Sequence, residues 1–151
     1  MEILIVAIVI SAISIYGAVM LKRLYFLLGY FLFSLLALTS FIPTYSDDEM
    51  LALTSIALFL VMGIISFPAK KNISDYEIND EAKPLVNSFT LKTLLSLSAV
   101  NLIAILMVKY DPNMPDGITE SMRIYPMIMH GVLGVLPLYV LVRMSQSSKL
   151  K

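Results

Sequence analysis

Uncharged, apolar runs alternate with polar connections along the whole chain. Five runs stand out, at 3–21, 24–42, 50–67, 91–108 and 125–142. An α-helix rises about 1.5 Å per residue and the bilayer hydrocarbon is about 30 Å thick, so roughly 20 apolar residues span it. The pattern predicts an all-α integral membrane protein, a bundle of five transmembrane helices that forms a single membrane domain over 1–151.

The first two runs are separated only by Lys22 and Arg23. One continuous helix over both runs would be about 60 Å long, twice the hydrocarbon thickness, so we predict two helices and a tight turn. The first run is not predicted to be a cleaved signal peptide, because its positive charges follow the apolar run. The second run lacks a polar face that would lie against lipid headgroups, so it is predicted to span.

The polar connections complete this predicted topology. The longest, 68–90, is expected to be a cytoplasmic loop, with a short surface helix starting near Ser74 and the fourth helix starting near Leu85. The segment 109–124 is expected to be an outer loop, and Asp-Pro and Asp-Gly steps within it are typical of turns.

Basic residues divide unequally between the two predicted faces. One face receives nine of the eleven: Lys22, Arg23, Lys70, Lys71, Lys83, Lys92, Arg143, Lys149 and Lys151. The other face receives Lys109 and Arg123. Cytoplasmic loops are enriched in Lys and Arg, so the N-terminus is predicted outside and the C-terminus in the cytoplasm.

Composition agrees with a bilayer as the main partner. The chain is 58% hydrophobic and 15% charged, whereas a soluble domain carries about 25% charged residues. Eleven basic and eleven acidic residues balance, which does not favour a nucleic-acid partner. The absence of cysteine excludes disulfides, thiolate catalysis and cysteine-ligated metal or iron–sulfur sites.

His130 is the only histidine of the chain and lies about five residues inside the fifth run. An ionisable residue at this depth is a candidate for proton handling, a quinone contact or one axial haem ligand. Haem and metal sites need further ligands, and the sequence holds no second His and no Cys. A neutral imidazole hydrogen-bonded between helices is the favoured interpretation, and no cofactor is predicted.

Asn101 and Ser98 form a second intramembrane polar pair, three residues apart on one face of the fourth run. Such side chains line a solute path or hydrogen-bond to a neighbouring helix. Interhelical hydrogen bonds in membranes contribute about 0.6–2 kcal/mol and are common, so packing is the favoured role. The candidate intramembrane polar site is therefore His130, Asn101 and Ser98.

Small residues recur at helical spacing and predict close helix packing. The first run carries a continuous stripe of them: Ala7, Ser11, Ser14 and Ala18. In the fifth run, Gly131 and Gly134 are expected to form a similar surface, one turn before Pro137. Small residues let two backbones approach closely, and the proline kink is interpreted as shaping the packing.

Asp47, Asp48 and Glu49 form a cluster of three consecutive carboxylates at a predicted helix start. Three consecutive residues cannot all point at one cation there, and compensation of the helix dipole explains them. No metal site is predicted.

Three functions stay open at this level. The favoured hypothesis is a non-catalytic accessory or structural subunit of a larger membrane complex, because the spans lack acidic groups and no catalytic motif is present. The alternative is an oligomeric small-solute carrier or channel protomer with its path lined by the polar pair and His130. A membrane redox subunit that uses His130 is the third. The expected partners are lipid and other membrane subunits, or further copies of the chain.

Overall fold

The computed structural model describes residues 2–20, 22–41, 49–67, 83–110 and 120–148. These ranges form five α-helices: α1 (Glu2–Val19), α2 (Arg23–Phe41), α3 (Glu49–Ser66), α4 (Lys83–Tyr110) and α5 (Ile124–Ser148). A 3-10 turn, Glu120–Arg123, leads into α5. The predictions of an all-α fold and of five helices are confirmed.

The turn between α1 and α2 is as tight as expected. The amide of Lys22 donates to the Gly17 carbonyl at 2.8 Å, and the amide of Phe26 donates to the Lys22 carbonyl at 3.1 Å. Between the end of α1 at Val19 and the start of α2 at Arg23, Lys22 therefore donates to the first helix and accepts from the second. This geometry excludes one continuous helix across the two apolar runs.

α4 starts two residues before the position near Leu85 that the sequence predicted, and so it takes up the C-terminal part of the segment 68–90. α4 begins at Lys83, and Pro84 occupies its first turn, where the missing proline N–H has no intrahelical partner to lose. Polar residues alone do not stop a helix. The outer loop 109–124 is likewise shortened, because 109–110 belong to α4 and 120–123 form the 3-10 turn. The surface helix expected from Ser74 lies outside the described residues.

Consecutive helices run antiparallel. Ser14 and Gly17 of α1 lie against Gly29 and Phe26 of α2, in reversed order. Phe31 and Ser34 of α2 likewise meet Phe67, which directly follows α3, and Gly63 of α3. Ser98 near the middle of α4 bonds to Gly134 of α5. α3 also packs against α4, and α5 packs against α1, which closes the bundle. α1 and α5 therefore run parallel, with their C-terminal ends at the same end of the bundle.

Side chains from four helices fill the centre of the bundle. The largest fully buried ones include Tyr30 of α2, Met62 of α3, Leu97 of α4 and Leu133 of α5. Large apolar side chains are nevertheless exposed on all five helices, for example Val9, Leu35, Ile64, Leu106 and Val135. Apolar surface of this extent is unfavourable against water at about 25 cal/mol per Å².

Two helical segments are long and apolar enough to cross a membrane by their length and composition. They are Thr90–Tyr110 and Ile124–Arg143, and only a third of the apolar window in each is buried inside the protein. A core helix of a water-soluble fold would bury most of such a window. The other apolar segments found in the described ranges are shorter, at Ile5–Val19, Arg23–Thr39 and Ala52–Ser66.

Candidate functional site

Pro137 sets the local chemistry of α5. The helix continues through this residue without a break, and its side chain is fully buried. Proline has no N–H, so the carbonyl four residues earlier, that of Leu133, loses its intrahelical donor. In a water-free interior an unsatisfied carbonyl is costly, and a neighbouring helix has to supply a donor.

Two side chains from other helices supply donors at this point. The Tyr30 hydroxyl of α2 donates to the Leu133 carbonyl. The Ser98 hydroxyl of α4 donates to the next carbonyl, Gly134, at 2.6 Å. α2 and α4 are thereby attached to the same stretch of α5 at the level of the proline.

His130 and Asn101 form a buried pair one turn away. The Asn101 side-chain amide donates to the Leu97 carbonyl at 2.8 Å and lies 3.7 Å from the Met62 sulfur. Its carbonyl oxygen lies 3.0 Å from His130 Nδ1. Because that oxygen is an acceptor only, His130 must carry its proton on Nδ1 and donate.

Aromatic rings enclose the imidazole of His130. The Phe33 ring meets it edge to face, with centroids 5.4 Å apart, and the Phe59 ring lies at 5.8 Å. These two phenylalanines come from α2 and α3, while Asn101 comes from α4. The single histidine therefore joins four helices in one apolar cluster.

The chemical capacity of this cluster is narrow. It combines one imidazole, one amide and hydroxyls that already donate to backbone carbonyls. Within the residues that the structure describes, no three His, Asp or Glu side chains are grouped so as to hold a metal ion. General acid–base work also needs a titrating group within reach of a substrate proton, and His130 is buried.

The structure brings only part of the predicted polar site together. His130 and Asn101 are hydrogen-bonded, whereas Ser98 bonds to the backbone of α5. Sequence reasoning missed Tyr30 as a member of this site. The sequence does contain a signal for it. A tyrosine lies in the middle of one apolar run, and a proline inside another run leaves a backbone carbonyl in need of a hydrogen-bond donor.

The small-residue stripe of α1 faces inward. Its members Ala7, Ser11, Ser14 and Ala18 are all buried. The Ser14 hydroxyl donates to the Phe26 carbonyl at 3.1 Å. A Cβ placed on Gly29 would lie 2.7 Å from the Ser14 backbone nitrogen, so the α1 and α2 backbones touch there.

The predicted close approach at Gly131 and Gly134 is much looser. A Cβ on Gly131 would lie 3.9 Å from Ile105, and one on Gly134 would lie 3.4 Å from Leu102. Both distances fall in the range of ordinary contact, because leucine and isoleucine side chains stand between α4 and α5. The tight contact of two backbones is found between α1 and α2 instead.

Comparison with known proteins adds no functional assignment. The chain matches no protein-family model, and it shows no significant similarity to a curated protein or to a solved structure.

Proposed function

We propose that this chain is a multi-pass membrane protein whose five helices all cross the bilayer, and that it acts as a non-catalytic accessory subunit of a larger membrane complex. In this placement the N-terminus lies outside and the C-terminus in the cytoplasm. The observation that carries the proposal is that the polar side chains of the candidate site are hydrogen-bonded within the bundle, inside an apolar exterior.

Segment lengths support five crossings. The five helices carry uncharged stretches at 3–20, 24–41, 50–67, 93–108 and 124–142. These stretches hold 16 to 19 residues, so each extends about 24–28 Å at helical rise. These lengths fall slightly short of about 30 Å of hydrocarbon, and local thinning of the bilayer together with snorkelling of the flanking Lys and Arg accommodates the difference.

Antiparallel packing supports the same topology. Alternation over five helices places the two termini at opposite ends of the bundle. Among residues placed in the structure, Lys22, Arg23, Lys83, Lys92 and Arg143 belong to one end. Lys109 and Arg123 belong to the other end. The Lys and Arg excess marks the first end as cytoplasmic.

The burial of the polar side chains inside one chain supports an accessory role over transport. A path formed between protomers would be lined by side chains on the outer face of the bundle. His130, Asn101 and Ser98 are instead buried within one chain. They stabilise contacts between helices, and so the carrier alternative loses the residues that motivated it. A redox role for His130 gains no second ligand from the cluster.

Cysteine labelling tests the topology. The chain has no cysteine of its own, so Ser46→Cys and Ser147→Cys provide unique sites. A membrane-impermeant maleimide added to intact cells is expected to modify Ser46→Cys and to reach Ser147→Cys only after permeabilisation. Labelling of both from the same side would refute the odd number of crossings.

Purification in a mild detergent from native membranes tests the subunit role. The expected result is an assembly that contains other polypeptides in fixed stoichiometry with this chain across successive separations. Native mass spectrometry gives that stoichiometry. Recovery of this chain as a pure homo-oligomer from the same membranes would contradict the proposal.

A further inference from the structure

Four cations surround one end of the bundle at a similar depth. Arg23 lies seven residues before Tyr30, and Lys92 lies six residues before Ser98. Arg143 lies nine residues after Gly134. Because Tyr30 and Ser98 bond to neighbouring residues of α5, these offsets place the cations about 9–14 Å from that common level. We call Lys22, Arg23, Lys92 and Arg143 the basic rim.

Tyrosines hold the Lys22 ammonium in place. Its nitrogen lies 5.7 Å from the centroid of the Tyr16 ring and 5.8 Å from that of Tyr25. It also donates to the Tyr16 hydroxyl at 3.5 Å. The two rings stack edge to face with centroids 5.5 Å apart. A flexible lysine is thereby positioned by two aromatic side chains at the α1–α2 turn.

A cation–π contact with a single tyrosine also occurs on α5. The Arg143 guanidinium lies 5.9 Å from the centroid of the Tyr139 ring. The described segments at this end, 11–20, 22–31, 59–67, 83–98 and 134–148, contain no Asp or Glu. Cation–π contacts orient a cation without neutralising its charge, so within these segments the rim keeps its full positive charge.

We propose that the basic rim binds the headgroup phosphates of anionic phospholipids, with the principal site at Lys22, which lies over the rings of Tyr16 and Tyr25, and at the adjacent Arg23. The rim residues lie just inside the roughly 15 Å half-thickness of the hydrocarbon, so their long side chains extend to the headgroup level by snorkelling. Their charge there is complementary to a phosphodiester. Tyrosine is suited to that level, because its ring is apolar and its hydroxyl polar. This inference rests on the proposed membrane placement.

Lipid titration of the full chain tests the inference. The protein in a neutral detergent is titrated with phosphatidylglycerol or phosphatidylcholine, and the Kd of each is read by native mass spectrometry. The chain is expected to bind phosphatidylglycerol more tightly. Each Lys or Arg near a membrane surface contributes about 1 kcal/mol, so Lys22→Gln should weaken phosphatidylglycerol binding about fivefold. Lys22→Arg should retain the affinity.

Lys109→Gln is the matched control. Lys109 also lies over a tyrosine, 5.2 Å from the Tyr110 ring, but at the opposite end of the bundle. Its substitution should leave the phosphatidylglycerol affinity unchanged. An equal loss in this control, equal binding of the two lipids by the unsubstituted chain, or competition by millimolar inorganic phosphate would each overturn the rim as a lipid site.

The two proposals fail in distinguishable ways. Opposite-side labelling of Ser46→Cys and Ser147→Cys together with absent lipid selectivity would remove the rim site and leave the topology standing. Same-side labelling would remove the membrane placement on which the rim depends. The melting temperature of the Lys22→Gln variant is measured in parallel in the same detergent. If it equals that of the parent chain, the loss of affinity results from the removed charge.

Discussion

The Tyr30 hydroxyl donates a hydrogen bond to the backbone carbonyl of Leu133, across the bundle from α2 to α5. That carbonyl is the one that Pro137 deprives of an intrahelical donor. A side chain more than 100 positions away along the chain therefore supplies the donor that α5 lacks at its proline. The relationship explains why a buried tyrosine and a buried proline occur at the same depth.

Removing the Tyr30 hydroxyl should destabilise the bundle. We expect Tyr30→Phe to lower the free energy of unfolding by about 1 kcal/mol, because the Leu133 carbonyl loses its donor in an apolar interior. Unfolding by SDS in mixed micelles measures the change. Tyr25→Phe, at an exposed ring near the turn, is the matched control and should cost much less.

Restoring the backbone donor should reduce the need for Tyr30. In a Pro137→Ala background the amide of residue 137 can again donate to the Leu133 carbonyl. Tyr30→Phe should therefore cost less in this background than in the parent, which a double-mutant cycle would measure as coupling. An identical cost in both backgrounds would contradict the link between the two residues.

His130 should be a neutral imidazole with its proton on Nδ1. This tautomer follows from the acceptor that Asn101 presents at 3.0 Å. Because the chain has one histidine, a sample labelled with ¹⁵N-histidine gives one pair of ring signals, and NMR identifies the protonated nitrogen directly. A proton on Nε2 would reverse the assigned hydrogen bond. Asn101→Leu should shift both ring signals.

The two halves of this pair should be coupled in stability. His130→Leu leaves the Asn101 oxygen without its donor, and Asn101→Leu leaves the imidazole N–H without its acceptor. We expect each single variant to be less stable than the parent and the double variant to cost less than their sum, with a coupling of about 0.6–1.7 kcal/mol. Strict additivity in mixed-micelle unfolding would show that the pair does not interact.

Two glycines should respond in opposite ways to alanine. Gly29→Ala would place a Cβ 2.7 Å from the Ser14 nitrogen, and backbone cannot yield cheaply, so we expect a loss of about 1–3 kcal/mol. Gly131→Ala meets only the end of Ile105 at 3.9 Å. Alanine favours helix over glycine, so Gly131→Ala should be neutral or stabilising. SDS unfolding of both variants compares them directly.

Arg123 should hold the C-terminal end of α4. Its guanidinium donates to the carbonyls of Lys109 at 3.1 Å and Val108 at 3.4 Å, which lack intrahelical donors at a helix end. Arg123→Gln should increase hydrogen exchange in the last turn of α4, read by mass spectrometry. Arg143→Gln, at the other end of α5, should leave that turn unchanged. Equal protection in Arg123→Gln would contradict the capping role.

Parts of the candidate site were predictable because they depend on local pattern. His130, Asn101 and Ser98 are polar positions inside apolar runs, and each was expected to make hydrogen bonds between helices. Their partners were not predictable. Asn101 accepts a hydrogen bond from His130, whereas Ser98 donates one to the Gly134 carbonyl. The difference depends on the rotation of α4 against α5. Hydropathy contains no information on that rotation.

Local signals predicted the start of α4 near Leu85, two residues after its start at Lys83. A helix that projects beyond an apolar run needs no apolar side chains of its own. Pro84 was compatible with either outcome, since proline is well tolerated in a first helical turn. The glycines of α5 predicted a close backbone contact that the structure does not contain at Gly131, because a bulky side chain of α4 lies beside that residue.

By itself the sequence determined the helical class, the number of helices and the charge difference between the two ends, because these follow from the length and polarity of consecutive segments. The tertiary structure alone decided which buried groups meet. It paired Tyr30 with the carbonyl exposed by Pro137, set His130 against Asn101, and placed the close backbone contact between α1 and α2. Those outcomes depend on helix rotation and depth, which many side chains determine jointly.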